Sequence, residues 1–257
     1  MRVLITGAAG YVGRYFAAHW QSTEDLELVL ADIHPLADDP RFITLDLTDA
    51  KQTRAALENI DAVIHLAKQA DEGPMEGDEL NGKRFDVNVK GTFNLLEAAR
   101  AAGVERFIFT STVMTVLGYT APQWVESDAP PLPVGSYALT KQLCEVMCQH
   151  YARAHDMSIV CLRIPKPIDL EHPLWKTHPL RPQWVPFPDL LQAYQKALTA
   201  EISGCEVITI VGESSKRRWD LSKAEKLLGY RPTLIPEELG YAMGTEDQPI
   251  PTEDHYA

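Results

Sequence analysis

One feature restricts the fold more than any other: over the first 164 residues, apolar runs of strand length alternate with amphipathic stretches of helix length. Arg2–Thr6 predicts a strand and Tyr11–Trp20 a helix, and Leu26–Ala31, Phe42–Leu45 and Ala62–Leu66 predict three more strands. Phe85–Ala102 has a helical period, Arg106–Ser111 that of a strand, Ser136–His155 that of a helix, and Ile159–Ile164 predicts a sixth strand. Repetition of strand, crossover helix and strand means parallel strands with helices on both faces. The expected class is therefore α/β, a doubly wound parallel sheet. After Ile164 the alternation weakens and prolines recur from Pro165 to Pro236. Helical patterns at Asp189–Ala200 and Leu221–Leu228, with a strand at Val207–Val211, predict a small C-terminal substrate lobe. The expected organisation is a core over 1–164, a lobe over 165–243 within the same structural domain, and an acidic tail over 244–257.

Composition narrows the partners. The chain has 257 residues, 45% hydrophobic and 23% charged, enough for a core without disulfide or metal staples. Its net charge of −12 repels phosphate backbones and anionic lipid, which argues against nucleic-acid or membrane-surface binding. Cys144, Cys148, Cys161 and Cys205 form no Cys-x-x-Cys, and the eight histidines supply no ligand pair, so no metal is expected. The apolar opening Val3-Leu4-Ile5 stops at Thr6-Gly7, too soon for a signal peptide, and the uncharged stretch Phe107–Val125 holds too many hydroxyls and Pro122 to span a membrane. A cytoplasmic protein with reduced thiols is expected.

The first chemical signal is Gly7-Ala8-Ala9-Gly10-Tyr11-Val12-Gly13, placed where the first strand turns into the first helix. Glycine serves where the backbone turns sharply and where it must approach a pyrophosphate resting on a helix N-terminus. Asp32 ends the next strand, 19 residues after Gly13. A carboxylate there accepts hydrogen bonds from both adenosine ribose hydroxyls and repels a 2′-phosphate, and no arginine follows within eight residues. This is a Rossmann fold pattern for NAD rather than NADP. The second signal is Tyr137-Ala138-Leu139-Thr140-Lys141, at the start of the helix after the fifth strand. That strand ends in Thr110-Ser111-Thr112, hydroxyls at the carboxyl edge where such sheets bind ligands.

With these motifs the chain resembles the extended short-chain dehydrogenases/reductases, the NAD-dependent epimerase/dehydratase family. Further matching segments are Asp46-Leu47, His65-Leu66-Ala67, Asn88-Val89-Lys90-Gly91-Thr92 and Leu228-Gly229-Tyr230-Arg231-Pro232. The resemblance implies that Gly7, Gly10, Tyr11, Val12, Gly13 and Asp32 line the cofactor, that Asp46 and Leu47 flank the adenine, and that Leu66, Ala67 and Asn88 border the site. It also implies that Tyr137, Lys141 and Thr112 are catalytic, with Tyr137 and Lys141 at the nicotinamide end of the cofactor. A phenol is a poor base at neutral pH, and a neighbouring ammonium favours its phenolate form. Tyr137 is then the general base, while Thr112 holds the reacting oxygen.

Departures narrow the chemistry. Val113-Met114 stand where the family's dehydratases carry an acidic pair, so dehydration is not expected. Arg163-Ile164-Pro165-Lys166-Pro167 replaces the usual segment, and only 20 residues separate Pro167 from Pro188, little chain with which to wrap a nucleoside diphosphate. A small sugar or sugar acid fits better. The nearest likeness is to the short uronate dehydrogenase-like members, in Ala31-Asp32-Ile33-His34-Pro35-Leu36 and Arg218-Trp219-Asp220. From it Arg181 is a candidate for gripping a substrate carboxylate, and Lys68, Ser111 and Thr112 are candidate substrate contacts. The leading expectation is an NAD-dependent sugar dehydrogenase; the alternatives are an epimerase that retains its cofactor and a non-catalytic NAD sensor or scaffold. On the Ser136–His155 helix the polar stripe, Gln142, Glu145, Gln149 and Arg153, is narrow. Family members commonly pair this helix and the preceding long one, so a homodimer through Phe85–Ala102 and Ser136–His155 is expected.

Overall fold

The computed structural model describes residues 1–20, 24–36, 39–69 and 77–248. Seven strands form one sheet: β1 (Arg2–Thr6), β2 (Glu27–Asp32), β3 (Phe42–Thr44), β4 (Ala62–His65), β5 (Arg106–Thr112), β6 (Ser158–Ile164) and, after a short pair β7 (Pro167–Ile168) and β8 (Val185–Pro186), β9 (Cys205–Thr209). Their order is β3-β2-β1-β4-β5-β6-β9, and every pairing is parallel. The strand order reverses between β1 and β4, which sets the ligand crevice at their carboxyl ends.

Both faces of the sheet are covered, which is why its strands read as continuous apolar runs. Val3 and Ile5 pack into one cluster and Leu4, between them, into the other. The first cluster is closed by Phe16 of α1 (Tyr11–His19) and by Leu190, Ala193 and Tyr194 of α6 (Phe187–Thr199). The second is closed by α4 (Gly91–Ala102) and α5 (Gly135–His155), through Leu95, Leu96, Cys144, Cys148 and Tyr151. A third cluster of Ile168, Trp175, Leu180 and Trp184 is separate from these two and lies where the sequence predicts a small lobe. The chain after Ile164 thus does two jobs: α6 and β9 join the first cluster and the sheet, and the stretch between β6 and α6 carries the third cluster.

Four elements escaped the periodicity. α2 (Ala50–Ala56) is set by Asp49, whose carboxylate accepts the N–H groups of Lys51 and Gln52 at 2.8 and 3.2 Å. α3 (Gly77–Arg84) buries no residue, so it has no apolar stripe to read, and β7 and β8 are two residues each. The long expected helix over Phe85–Ala102 is interrupted, since Phe85–Lys90 forms a π-helical turn before α4. α7 (Ser222–Leu228) ends at Gly229, which adopts φ +63° and turns Tyr230 inward to donate to the Val211 carbonyl at 3.0 Å. Residues 244–248 of the expected tail lie against the lobe: the Gly244 N–H donates to the Leu180 carbonyl at 2.8 Å, and Glu246 grips Arg218 through two bonds of 2.6 and 2.7 Å. Residues 249–257 of that tail lie outside the described residues. No helix among the described residues is long and apolar enough to cross a membrane.

The glycine loop shows how closely backbones meet here. A Cβ on Gly13 would lie 2.3 Å from the Gly7 carbonyl oxygen and 2.6 Å from the Ala8 Cα, both backbone atoms that cannot swing aside. At Gly82, inside α3, a Cβ would meet nothing within 4 Å. Gly13→Ala should therefore destabilise the fold by about 1–3 kcal/mol more than Gly82→Ala in urea unfolding. Equal losses would show that the loop has room to spare.

Candidate active site

The turn after β1 is built for close approach. Gly7 sits at φ +76°, and a Cβ there would fall 2.5 Å from the Ala67 nitrogen. Only glycine lets β1 end this close to the segment after β4. Gly10 caps α1, so the helix opens with its N–H groups facing the crevice, and Tyr11 leans on Phe187 at 4.9 Å between ring centroids. Asp32 closes the other side: its two oxygens accept from the Ala9 and His34 N–H groups, each at 3.0 Å. Each oxygen keeps a second lone pair for a ligand hydroxyl. Arg41, the nearest arginine downstream, is engaged by Asp39 at 2.9 and 2.5 Å and by the Ala17 carbonyl. A cradle that a Cβ would fill, a helix N-terminus and a carboxylate at the next strand end are the parts a dinucleotide needs, and the residues present fit one.

Two other expected residues shape the walls. Asp46 folds its carboxylate onto Thr48, accepting from both its N–H and its hydroxyl at 2.8 Å. Leu47 is buried, and its carbonyl accepts from the Asn94 amide at 2.8 Å. Leu66 and Ala67 continue from β4, with the Leu66 N–H bonded to the Thr6 carbonyl.

Asn88 has a larger part than its motif suggested. It lies buried in the π-helical turn, accepts the Gln69 N–H at 2.8 Å and donates to Thr140 Oγ1 at 3.1 Å. Thr140 in turn donates to the Tyr137 carbonyl at 2.7 Å. One amide therefore ties the loop after β4 to the first turn of α5. Beside it, His65 links Thr6 (2.7 Å) to Thr92 (2.9 Å), and burial and then the Lys141 charge push its imidazole down to about 3, so it is neutral.

α5 delivers the reactive pair. Tyr137 is half-buried, and Lys141 one turn on is buried with its ammonium 5.9 Å from the Tyr137 ring centroid. Lys141 donates to the Thr110 carbonyl at 2.8 Å and lies 4.9 Å from the Phe109 ring centroid. Thr112 ends β5, its Oγ1 accepting from the Met114 N–H at 3.2 Å. Lys68, a candidate substrate contact, is exposed with its ammonium 5.8 Å from the same Tyr137 ring.

Ser111 is a correction. Its hydroxyl does not turn to the crevice but donates inward to Glu145 at 2.5 Å, because successive strand residues face opposite sides of the sheet. Glu145 is itself buried, not part of a polar stripe, and Arg163 of β6 holds both its oxygens at 2.9 and 2.8 Å. Arg181 lies in the lobe with its guanidinium 5.8 Å from the Trp184 ring centroid, and it donates to the Gln248 carbonyl at 3.0 Å. Lys166, which the motifs did not single out, sits just past β6 between Trp175 (5.3 Å) and Trp184 (5.0 Å). Burial, then the nearby Arg181, pushes its ammonium down to about 8.

Residues 3–168 match the model of the NAD dependent epimerase/dehydratase family. The chain belongs to that family. A curated relative, uronate dehydrogenase of Pseudomonas putida, is 30% identical over 261 residues, covering 98% of this chain and 91% of its own. Among solved structures, glucuronic acid dehydrogenase from Chromohalobacter salexigens superposes with a TM-score of 0.79 at 26% identity, covering 99% of this chain and 92% of its own. UDP-glucuronic acid 4-epimerase from Bacillus cereus in complex with NAD gives 0.73 at 26% identity, over 91% of this chain and 94% of its own.

Burial is the main cause that holds the Lys141 ammonium at about 8, and Lys68 adds to it. Since the folded value lies below the ordinary 10.5, the native state is penalised below about pH 8, and stability from this group rises with pH from 8 to 10.5. Lys141→Met should therefore leave the thermal midpoint at pH 7 unchanged or higher. A midpoint lowered by several degrees would mean that the ammonium holds the fold together.

Proposed function

We propose that the protein is an NAD-dependent dehydrogenase of a small, non-nucleotide sugar or sugar acid, with free uronates as the foremost substrate class. The observation that carries this reading is the pair Tyr137 and Lys141, one turn apart on α5, with Lys141 bonded to the Thr110 carbonyl two residues before Thr112 at the carboxyl end of β5. Support for an acidic substrate comes from the lobe, where Lys166 and Arg181 bring two cations to the Trp184 face in a chain of net charge −12. The segment between β7 and β8 is occupied by the compact Trp175–Leu180–Trp184 cluster, which suits a ligand without a nucleotide.

When bound, NAD supplies the hydride acceptor, so a substrate alcohol becomes a carbonyl by losing a hydride from carbon and a proton from oxygen. Tyr137, as phenolate, takes that proton. Thr112 donates to the same oxygen and fixes its position. Lys141 stays charged below about pH 8 and favours the phenolate by its field. Asp32 receives the adenosine ribose hydroxyls, Asp46 and Leu47 border the adenine, and Gly7, Gly10, Tyr11, Val12 and Gly13 receive the phosphates with Leu66, Ala67 and Asn88 behind them. Arg181 meets the substrate carboxylate. A cytoplasmic setting fits four unpaired thiols, three of them buried.

A panel of free sugars and uronates with NAD, followed at 340 nm, is expected to give net NADH with at least one uronate, at least about tenfold better than with NADP. Tyr137→Phe should lower kcat about 100-fold or more with NAD binding retained. Sugar conversion without net NADH would favour the epimerase reading, and near-normal turnover of the Phe variant would remove Tyr137 from the mechanism.

The family's helix pairing is also proposed here. Phe85 and Phe93, with Leu139, Leu143 and Val146 of α5, expose large apolar side chains on one side of the molecule, Val146 by 54%. A two-fold dimer through this face would bury them, leaving the active sites open on the other side. Light scattering should give twice 28.7 kDa, and Val146→Glu should halve it. A single-chain mass for the unaltered protein would reject the dimer.

A further inference from the structure

Tyr137 is flanked by two ammonium groups, not one. Lys141 approaches its ring at 5.9 Å from within α5, and Lys68 at 5.8 Å from the loop after β4. Lys68 is not simply a side chain on a loose loop. The next residue, Gln69, has its N–H held by Asn88, and the same Asn88 holds Thr140, the neighbour of Lys141. A single buried amide thus sets the spacing of both lysines around one phenol. Among the described residues no carboxylate pairs with Lys68. The acidic group nearest along α5, Glu145, is neutralised by Arg163 and faces Ser111.

We propose that Lys68 is a positioning residue of the proton-transfer set: its ammonium, clamped through Gln69 and Asn88, holds Tyr137 as phenolate together with Lys141 rather than gripping the substrate. The proposal rests on the reading of Tyr137 as general base. Among the described residues the other charged group set against the Tyr137 ring is Lys141 on its own helix; Lys141 in turn lies by the neutral thiols of Cys144 and Cys148 and neutral His65 of β4, and donates to the Thr110 carbonyl of β5. Lys68 is thus the only cation among the described residues that reaches the ring from outside α5. Its field also acts on Lys141, whose ammonium it helps to destabilise. Both effects have one sign. Removing Lys68 makes the Tyr137 phenol harder to ionise and the Lys141 ammonium harder to deprotonate, so both limbs of the pH profile move up.

The test uses the full chain with Tyr labelled at Cζ with ¹³C. The Tyr137 signal, assigned by its loss in Tyr137→Phe, reports phenolate directly in the protein alone. Lys68→Met should raise the Tyr137 titration midpoint by roughly 0.5–1 pH unit, Lys68→Glu by more, and Lys68→Arg should restore it. In the same variants the acid limb of kcat for uronate oxidation should shift by a like amount with KM nearly constant. An unmoved midpoint in Lys68→Met and Lys68→Glu, or a rise in KM for acidic sugars with the pH profile unchanged, would overturn the proposal. A Tyr137 that titrates near 10 in the unaltered protein would instead overturn the general-base reading beneath it.

Discussion

A carboxylate, a guanidinium and a hydroxyl buried together under α5 hold the helix that carries Tyr137 and Lys141 against β5 and β6. Glu145 comes from the helix, Ser111 from β5 and Arg163 from β6, and none has appreciable contact with water. Every oxygen of Glu145 is matched, so the ion pair is satisfied, and removing one partner would strand a buried charge at a cost of about 3–5 kcal/mol. The pair sits one turn beyond Lys141 on the same helix, while Ser111 precedes Thr112 on the strand. The positions of α5 and of the end of β5, and with them those of Tyr137 and Thr112, are thus fixed from below. Among the described residues one other acid is buried: Asp189, which fixes Thr233 and Leu234 to α6.

The sheet was legible because both of its faces are dry. A strand buried on two sides needs apolar residues at every position, and Val3-Leu4-Ile5 or Phe107-Ile108-Phe109 can scarcely be read otherwise. The expected bounds fall within two residues of the observed ones, the largest shift being at β9, where Ile210 and Val211 stay buried after strand pairing has stopped. What escaped was whatever relied on polar contacts. α3 is nearly all polar and is tied to α5 through Asn81, Arg84 and Ser136. α2 is announced only by its cap.

The candidate site was legible where backbone geometry dictates residue type, as at Gly7, Gly13 and the Tyr137–Lys141 spacing. It was not legible where a role depends on which way a side chain turns. Ser111 and Thr112 are adjacent and chemically alike, yet one serves the interior and the other the crevice edge. Asn88 could be placed near the site only through resemblance, since nothing in its local sequence reveals that it spans from Gln69 to Thr140. Lys166 was hidden for a different reason. The aromatic faces that receive it, Trp175 and Trp184, come from a stretch without regular periodicity.

The π-helical turn at Phe85–Lys90 carries one consequence of its own. It holds an extra residue relative to an α-helical path, so everything on α4 is rotated with respect to α3 by the angle of one residue, about 100°. Deleting a single residue from this turn would let the helix run on unbroken, and with Leu95, Leu96, Ala98 and Ala99 of α4 kept on the sheet it would swing α3 round by that angle. It would also carry the Asn88 amide away from Gln69 and Thr140 and uncouple the loop after β4 from the first turn of α5. In this segment the number of residues is under as much constraint as their identity, and an insertion or deletion here should be tolerated far less than almost any substitution on the exposed side of the same helix.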